Sequence, residues 1–223
     1  MSKRLSFGNA DFDAQLKALL TSRNADAADV SHSVKMIVGD VRDRGDKALM
    51  DYTKKFDRLD TTDLRITDAH MAQAENDCAP DVRVALEVAA SRIRAYHEIQ
   101  KPANHRYVDA DGVTLGWQSA AIESVGIYVP GGKASYPSSV LMNAMPAVVA
   151  GVERIVMVVP TPDGIINPAI LVAAKLAGVH EIYRIGGAQA VAALAYGTQT
   201  IAPVVKIVGP GNAYVAEARR QGY

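Results

Sequence analysis

Four short apolar runs in the second half of the chain place the tightest constraint on its fold. They are rich in Val and Ile, are about five residues long and lack a regular alternation with polar residues; they span 125–129, 154–159, 181–185 and 204–208. Such runs are typical of strands that are buried on both faces of a parallel sheet. A helical pattern follows each run, so the stretch predicts repeated strand–loop–helix units with right-handed crossovers.

Glycine-containing loops follow three of these runs, at Pro130-Gly131-Gly132, Gly186-Gly187 and Gly209-Pro210-Gly211. Ligands of open parallel sheets bind beyond the carboxyl ends of the strands. Glycine lets backbone N–H groups approach a ligand, and the N-terminus of the following helix favours an anion. One such loop is equally well explained as a tight turn, but three at one sheet edge favour a nucleotide or phosphate site. None matches G-x-G-x-x-G or the P-loop pattern, so the spacing does not name the ligand.

Composition excludes several classes of protein. The chain has 223 residues, enough for one large domain or two small ones, and its 24 Lys and Arg balance its 24 Asp and Glu. This balance argues against a nucleic-acid partner and against an anionic membrane surface. The single cysteine, Cys78, excludes an internal disulfide and a C-x-x-C zinc site. With no secretory leader and no long apolar span, we expect a cytoplasmic protein that does not enter a membrane.

The hydrophobic pattern divides the chain into three parts. Residues 1–22 are predicted to form an amphipathic helical arm, which the polar stretch 23–29 separates from the next helix. Residues 23–124 form a helix-rich first domain that ends in a predicted β-hairpin over 107–117. Residues 125–223 form a Rossmann-like domain. The predicted fold class is therefore α/β, with Rossmann-like βα units on a parallel sheet after a helix-rich segment.

Residues that could perform catalysis are scarce. The adjacent His97 and Glu98 point about 100° apart on a predicted helix, so surface positions are favoured over an acid–base pair. The chain contains no H-x-x-x-H or H-E-x-x-H pattern and hence no self-contained metal motif. The polar side chains near the predicted strand ends suit binding rather than proton transfer; they are Tyr128, Lys133, Ser135, Ser138, Asn143, Gln189, Thr198, Asn212 and Tyr214.

Several of these segments carry a family resemblance. The run 125–132, with 135–143 after it, resembles histidinol dehydrogenase, and so do 183–190 and 208–212. Motifs nearer the amino terminus agree with the same family: Arg42-x-Arg44-Gly45-Asp46-x-Ala48-Leu49, Tyr52-Thr53, Phe56-Asp57 and His97-Glu98-x-Gln100. The resemblance covers nearly the whole chain, and its motifs occur in the family's order.

The resemblance implies an oxidoreductase of histidine biosynthesis. The family oxidises L-histidinol to L-histidine in two successive NAD-dependent steps through an aldehyde, uses zinc to hold the substrate and works as a homodimer with interlocking subunits. By motif it implies NAD contacts at Tyr128, Gln189 and Asn212, all just past predicted strand ends. We expect Tyr128 to pack on or hydrogen-bond the cofactor, and the two amide side chains to hydrogen-bond its polar groups. Residues 125–223 are then an NAD-binding domain.

The same resemblance implies that much of the family's machinery is not in this sequence. Its catalytic Glu-His pair, its zinc ligands and its histidinol-binding residues are expected beyond Tyr223, so we expect the 223-residue chain alone to be inactive. Residues 23–124 would form an incomplete α/β domain, because the family completes that sheet with later chain. Two alternatives stay open: a non-catalytic dinucleotide-binding module or relic of the same fold, and a related dehydrogenase of another small alcohol.

Overall fold

A computed structural model describes residues 4–131 and 136–222 of the chain, with the backbone alone in 21–28. Lys133, Ser135 and part of the first glycine loop therefore lie outside the described residues. Within the described ranges, none of the helices is both long and apolar enough to cross a bilayer.

Four helices come first in the described chain, a β-hairpin follows, and strands then alternate with helices from β3 onward, as the sequence predicts. The helices are α1 (Phe12–Arg44), α2 (Asp46–Asp57), α3 (Asp68–Asp77), α4 (Pro80–Gln100), α5 (Pro137–Ala150), α6 (Pro168–Leu176), α7 (Gly187–Tyr196) and α8 (Ala213–Gln221). The strands are β1 (His105–Val108), β2 (Thr114–Trp117), β3 (Ser124–Tyr128), β4 (Arg154–Val158), β5 (Glu181–Tyr183) and β6 (Lys206–Val208). A short 3₁₀ turn spans Pro162–Gly164. Strands β1 and β2 form the predicted antiparallel hairpin.

The four apolar runs form one parallel sheet in the order β5-β4-β3-β6, which confirms the predicted α/β class. The chain adds β4 and β5 on one side of β3 and then returns to place β6 on the other side. This reversal between β3 and β6 is the topological switch point at which doubly wound sheets bind ligands. The fold therefore points to the carboxyl ends of β3 and β6 as the place for a site.

Helices cover both faces of the sheet, as strands buried on both sides require. Alternate side chains of β3 enter different cores: Val125 and Ile127 pack with α4, α5 and α6, while Tyr128 packs with α1, α2, α7 and α8. Gly126 lies between Val125 and Ile127 in β3, and a Cβ on Gly126 would lie 2.8 Å from the Leu194 side chain in α7. The absence of a side chain at 126 therefore lets α7 pack closely against the sheet.

The helical arm differs from its prediction. Residues 23–29 do not interrupt the first helix, because α1 runs without a break from Phe12 to Arg44. This stretch contains three alanines and neither glycine nor proline, so nothing in it stops a helix. The division of the chain into parts at 1–22, 23–124 and 125–223 stays a prediction, as does the incompleteness of the middle part.

A polar cluster around Glu217 ties α8 to α1. The Glu217 carboxylate accepts hydrogen bonds from the Arg220 guanidinium at 2.6 and 2.8 Å and from the Gln221 amide at 2.8 Å. Gln221 also donates to the backbone carbonyl of Ser31 in α1 at 3.0 Å. The hydrogen bond from Arg220, followed by those from Gln221 and Ser31, lowers the pKa of Glu217 from 4.5 to about 2.

This cluster should make folding sensitive to acid. Because the pKa of Glu217 is lower in the folded chain, its stabilising effect is complete above pH 4.5 and disappears as pH falls toward about 2. We expect the wild-type chain to lose more stability over this interval than Glu217→Gln, which carries no titrating carboxyl. Urea unfolding followed by circular dichroism at a series of pH values measures both losses. Equal losses would show that the cluster does not contribute to folding.

Candidate functional site

A cleft of about 1030 Å³ opens at the carboxyl ends of β3 and β6, at the switch point of the sheet. We call it the strand-end cleft. All three glycine loops contribute to its wall, through Gly131, Gly186 with Gly187, and Gly211. The amino termini of α7 and α8 belong to the last two loops. The positive dipole ends of these two helices make this wall favourable for an anion such as a phosphate.

Tyr128, the last residue of β3, joins two of these loops. Its ring is 5 % exposed, and its hydroxyl accepts a hydrogen bond from the backbone N–H of Gly187 at 3.0 Å. Burial raises the pKa of Tyr128, so the hydroxyl keeps its proton at neutral pH. Tyr128 thereby holds the first turn of α7 against the end of β3, and its O–H can still donate to a ligand.

Gln189 lies in the first turn of α7 and lines the same cleft while being only 1 % exposed. Its side-chain carbonyl oxygen Oε1 is buried and has no hydrogen-bond partner among the described residues. A buried acceptor without a partner costs about 1–3 kcal/mol. The unpartnered Gln189 oxygen belongs to a residue that lines a cleft. This is the arrangement expected of an acceptor that forms its hydrogen bond with a bound ligand.

Asn212 begins α8 as its N-cap. Its side-chain oxygen accepts a hydrogen bond from the backbone N–H of Val215 at 3.1 Å, so that oxygen is already engaged. The side-chain NH₂ group is on an exposed residue at the rim of the cleft and is available to donate. Arg219, later in the same helix, donates to the backbone carbonyl of Gly209 and so steadies the loop before Asn212.

Two glycines allow the backbone to approach closely around the cleft. Gly209 has φ +109°, and a Cβ there would lie 2.1 Å from the carbonyl oxygen of Tyr128. Gly186 has no such torsion, but its Cβ would lie 2.4 Å from Pro160. Side chains at these two positions would push apart the loops that carry Tyr128, Gln189 and Asn212.

The helices that precede the sheet supply the opposite wall, which pattern reasoning on the sequence did not predict. Residues of α2 line it, including Tyr52, Phe56 and Asp57, together with His32 and Met36 of α1. Phe56 and Asp57 occur in a motif of the family resemblance, and this is the one signal in the sequence that could have pointed to them. The structure thus brings the three expected cofactor contacts together and adds a wall from a distant segment.

The described residues offer no place for a metal ion. They contain no group of three or more His, Cys, Asp or Glu side chains with the geometry of a metal site. His97, considered above with Glu98, contacts the side-chain oxygen of Gln100 at 2.8 Å on the exposed end of α4. The donor set in 4–131 and 136–222 therefore does not fit zinc.

Comparisons with known proteins agree on one family. The family model for histidinol dehydrogenase matches residues 20–223. Histidinol dehydrogenase of Mesorhizobium japonicum is 58% identical over 223 residues, which are 99% of this chain and 52% of the relative. That of Rhodospirillum rubrum is 58% identical over 99% of this chain and 51% of its own length. The crystal structure of histidinol dehydrogenase from Elizabethkingia anophelis superposes with a TM-score of 0.83 at 39% identity, over 86% of this chain and 44% of that one.

These matches extend from the first helix to the last residue of the chain, so they include both walls of the strand-end cleft. The chain spans about half the length of the curated relatives it matches. On the family model, the sequence identity and the shared fold, this chain belongs to the histidinol dehydrogenase family of oxidoreductases.

Proposed function

We propose that the strand-end cleft binds NAD and that Tyr128, Gln189 and Asn212 contact it. The observation that carries this proposal is the buried, unpartnered carbonyl oxygen of Gln189 in a cleft with two helix amino termini. A dinucleotide needs what this cleft offers: N–H groups for a diphosphate, and a few polar side chains on an apolar wall.

Each residue has a role that follows from its hydrogen-bond inventory. Gln189 accepts from a ligand N–H or O–H, Asn212 donates through its NH₂ group, and the Tyr128 hydroxyl donates while it holds Gly187 in place. The backbone N–H groups at the start of α7 and α8 favour the charge of a diphosphate. Bound NAD would supply a hydride acceptor for the oxidation of an alcohol.

We further propose that this chain supplies the cofactor-binding part of a histidinol dehydrogenase. The activity would be the two-step oxidation of L-histidinol to L-histidine through the aldehyde, in the cytoplasm and as a homodimer. We place the zinc and substrate sites, as the family resemblance implies them, in the part of the family's length that this chain does not span, since the chain covers about half of each curated relative. Exposed apolar side chains on the hairpin, such as Val108 and Trp117, support an association surface.

Isothermal titration calorimetry of the 223-residue chain with NAD tests the proposal. We expect saturable one-site binding with a dissociation constant below about 1 mM. Absence of binding at millimolar NAD would reject the assignment of the cleft.

The same preparation, supplied with L-histidinol and NAD, should form no NADH, because the family resemblance implies a catalytic pair that this sequence does not contain, and the described residues hold no group of three or more metal-ligating side chains. Binding without turnover is the expected pair of results. Histidinol-dependent NADH formation would show that this chain already contains the catalytic groups.

A further inference from the structure

Asp57 is a buried carboxylate in the wall of the strand-end cleft. It ends helix α2, is 7 % exposed, and lines the cleft opposite the glycine loops. One of its oxygens, Oδ2, is buried and has no hydrogen-bond partner among the described residues. A carboxylate at the carboxyl end of a helix also meets the negative end of the helix dipole. Apart from the Coulombic attraction of Arg58, local structure therefore gives this charge no support.

The neighbouring cations are engaged elsewhere. The Arg58 guanidinium forms a salt bridge with the Asp163 carboxylate at 2.6 Å, and the Lys54 ammonium forms one with the Asp60 carboxylate at 2.6 Å. The Lys55 ammonium lies 5.3 Å from the centre of the Phe56 ring. Burial accordingly raises the pKa of Asp57 above its ordinary value. A buried carboxylate with an unpartnered oxygen is costly, so its presence in a ligand cleft indicates a partner that arrives with the ligand.

The chemistry of that partner follows from the group itself. An ionised carboxylate only accepts hydrogen bonds, so it repels phosphate and suits hydroxyl or N–H donors. Tyr52 and Phe56, one turn apart in α2, stack with ring centres 5.7 Å apart and form an apolar surface on the same wall. Asp57 lines the same cleft, so a nucleoside whose purine packs against this pair has its ribose in the cleft that contains Asp57. The two ribose hydroxyls match the two carboxylate oxygens.

We propose that Asp57 accepts hydrogen bonds from the 2′ and 3′ hydroxyls of the adenosine ribose and thereby selects NAD over NADP. This inference rests on the proposed binding of NAD in the strand-end cleft. A phosphate at the 2′ position would remove one hydroxyl and place like charge beside the carboxylate. Asp57 is thus a specificity residue supplied by the helices before the sheet rather than by a strand end.

The test is calorimetric titration of the 223-residue chain with NAD and with NADP, in wild type, Asp57→Asn and Asp60→Asn. The asparagine side chain is close to aspartate in size but lacks the charge, whereas Asp60 is an exposed carboxylate paired with Lys54 outside the cleft. We expect Asp57→Asn to weaken NAD binding about tenfold and to reduce the preference for NAD over NADP by at least that factor. Asp60→Asn should keep both wild-type affinities.

The outcomes separate this inference from the proposed function. If the wild-type chain does not bind NAD, both are wrong. If the wild-type chain binds NAD and Asp57→Asn keeps the wild-type ratio of NAD to NADP affinity, the cleft is a dinucleotide site. Asp57 then does not recognise the ribose hydroxyls. Asp57→Ser, also neutral but shorter, is the second variant, and it must show the same reduced preference for the proposal to hold. Thermal unfolding of each variant establishes that the compared chains are folded.

Discussion

Replacing Gly209 by alanine is expected to lower the free energy of unfolding by about 3–5 kcal/mol and to abolish NAD binding. Gly209 follows β6 with φ +109°, a torsion that residues with a Cβ rarely adopt. Its Cβ would also lie 2.1 Å from the carbonyl oxygen of Tyr128. Since that oxygen belongs to the backbone of the central strand β3, it cannot move aside without disturbing the sheet.

Gly178→Ala provides the matched control. Gly178 has φ +74° after α6, but nothing lies within 4 Å of the position that its Cβ would take. The alanine there carries only the torsional strain, about 1–2 kcal/mol, and should leave NAD binding intact. Urea unfolding and calorimetric titration of the two variants measure the difference. Similar losses of stability in both would show that the close approach of Gly209 to Tyr128 is not what the fold depends on.

Gln189→Leu is expected to weaken NAD binding about tenfold without lowering stability. Leucine keeps most of the buried volume of Gln189 and removes the side-chain oxygen that has no partner among the described residues. Removing a buried unsatisfied acceptor is neutral or stabilising for the chain without ligand, by up to about 1 kcal/mol. The two measurements, calorimetric affinity and urea unfolding, should therefore move in opposite directions.

The control for this variant is Gln199→Leu. The Gln199 side-chain oxygen accepts a hydrogen bond from the backbone N–H of Asp46 at 2.8 Å, at the start of α2 and outside the residues that line the cleft. Its loss should lower stability by about 1 kcal/mol and leave the NAD affinity unchanged. A Gln189→Leu chain that behaved in the same way would mean that Gln189 is a packing residue.

The local hydrophobic pattern was sufficient to predict the four strands of the sheet, but not the residues at which each strand begins and ends. The run 204–208 was predicted as a strand, yet β6 begins only at Lys206. The N–H groups of Val204 and Val205 instead donate to the carbonyl of Leu194 at 2.8 Å and to the hydroxyl of Ser124 at 3.1 Å. Hydrogen-bond acceptors from distant segments thus take the N–H groups of Val204 and Val205 and shorten the strand. The local sequence pattern cannot predict these long-range hydrogen bonds.

The features of the cleft likewise divide into those that the sequence predicted and those that only the tertiary structure revealed. The glycine loops could be predicted, because turns and helix starts depend on neighbouring residues. Tyr128, Gln189 and Asn212 were placed through motifs of the family, and their role as cofactor contacts stays a prediction. The family motif that contains Asp57 gave it no role, because that role depends on burial in the wall of a cleft shared with Tyr128, about seventy residues later in the chain.

The sequence by itself determined that this chain builds strand–loop–helix units with glycine loops after the strands, because apolar runs and breakers act over a few residues. Tertiary structure decided the strand order β5-β4-β3-β6, which brings the loops after β3 and β6 together. It also decided that α1 and α2 cover one face of the sheet and close the strand-end cleft. These arrangements depend on which apolar faces pack best against each other across long stretches of chain. The sequence of a single local segment does not determine that packing.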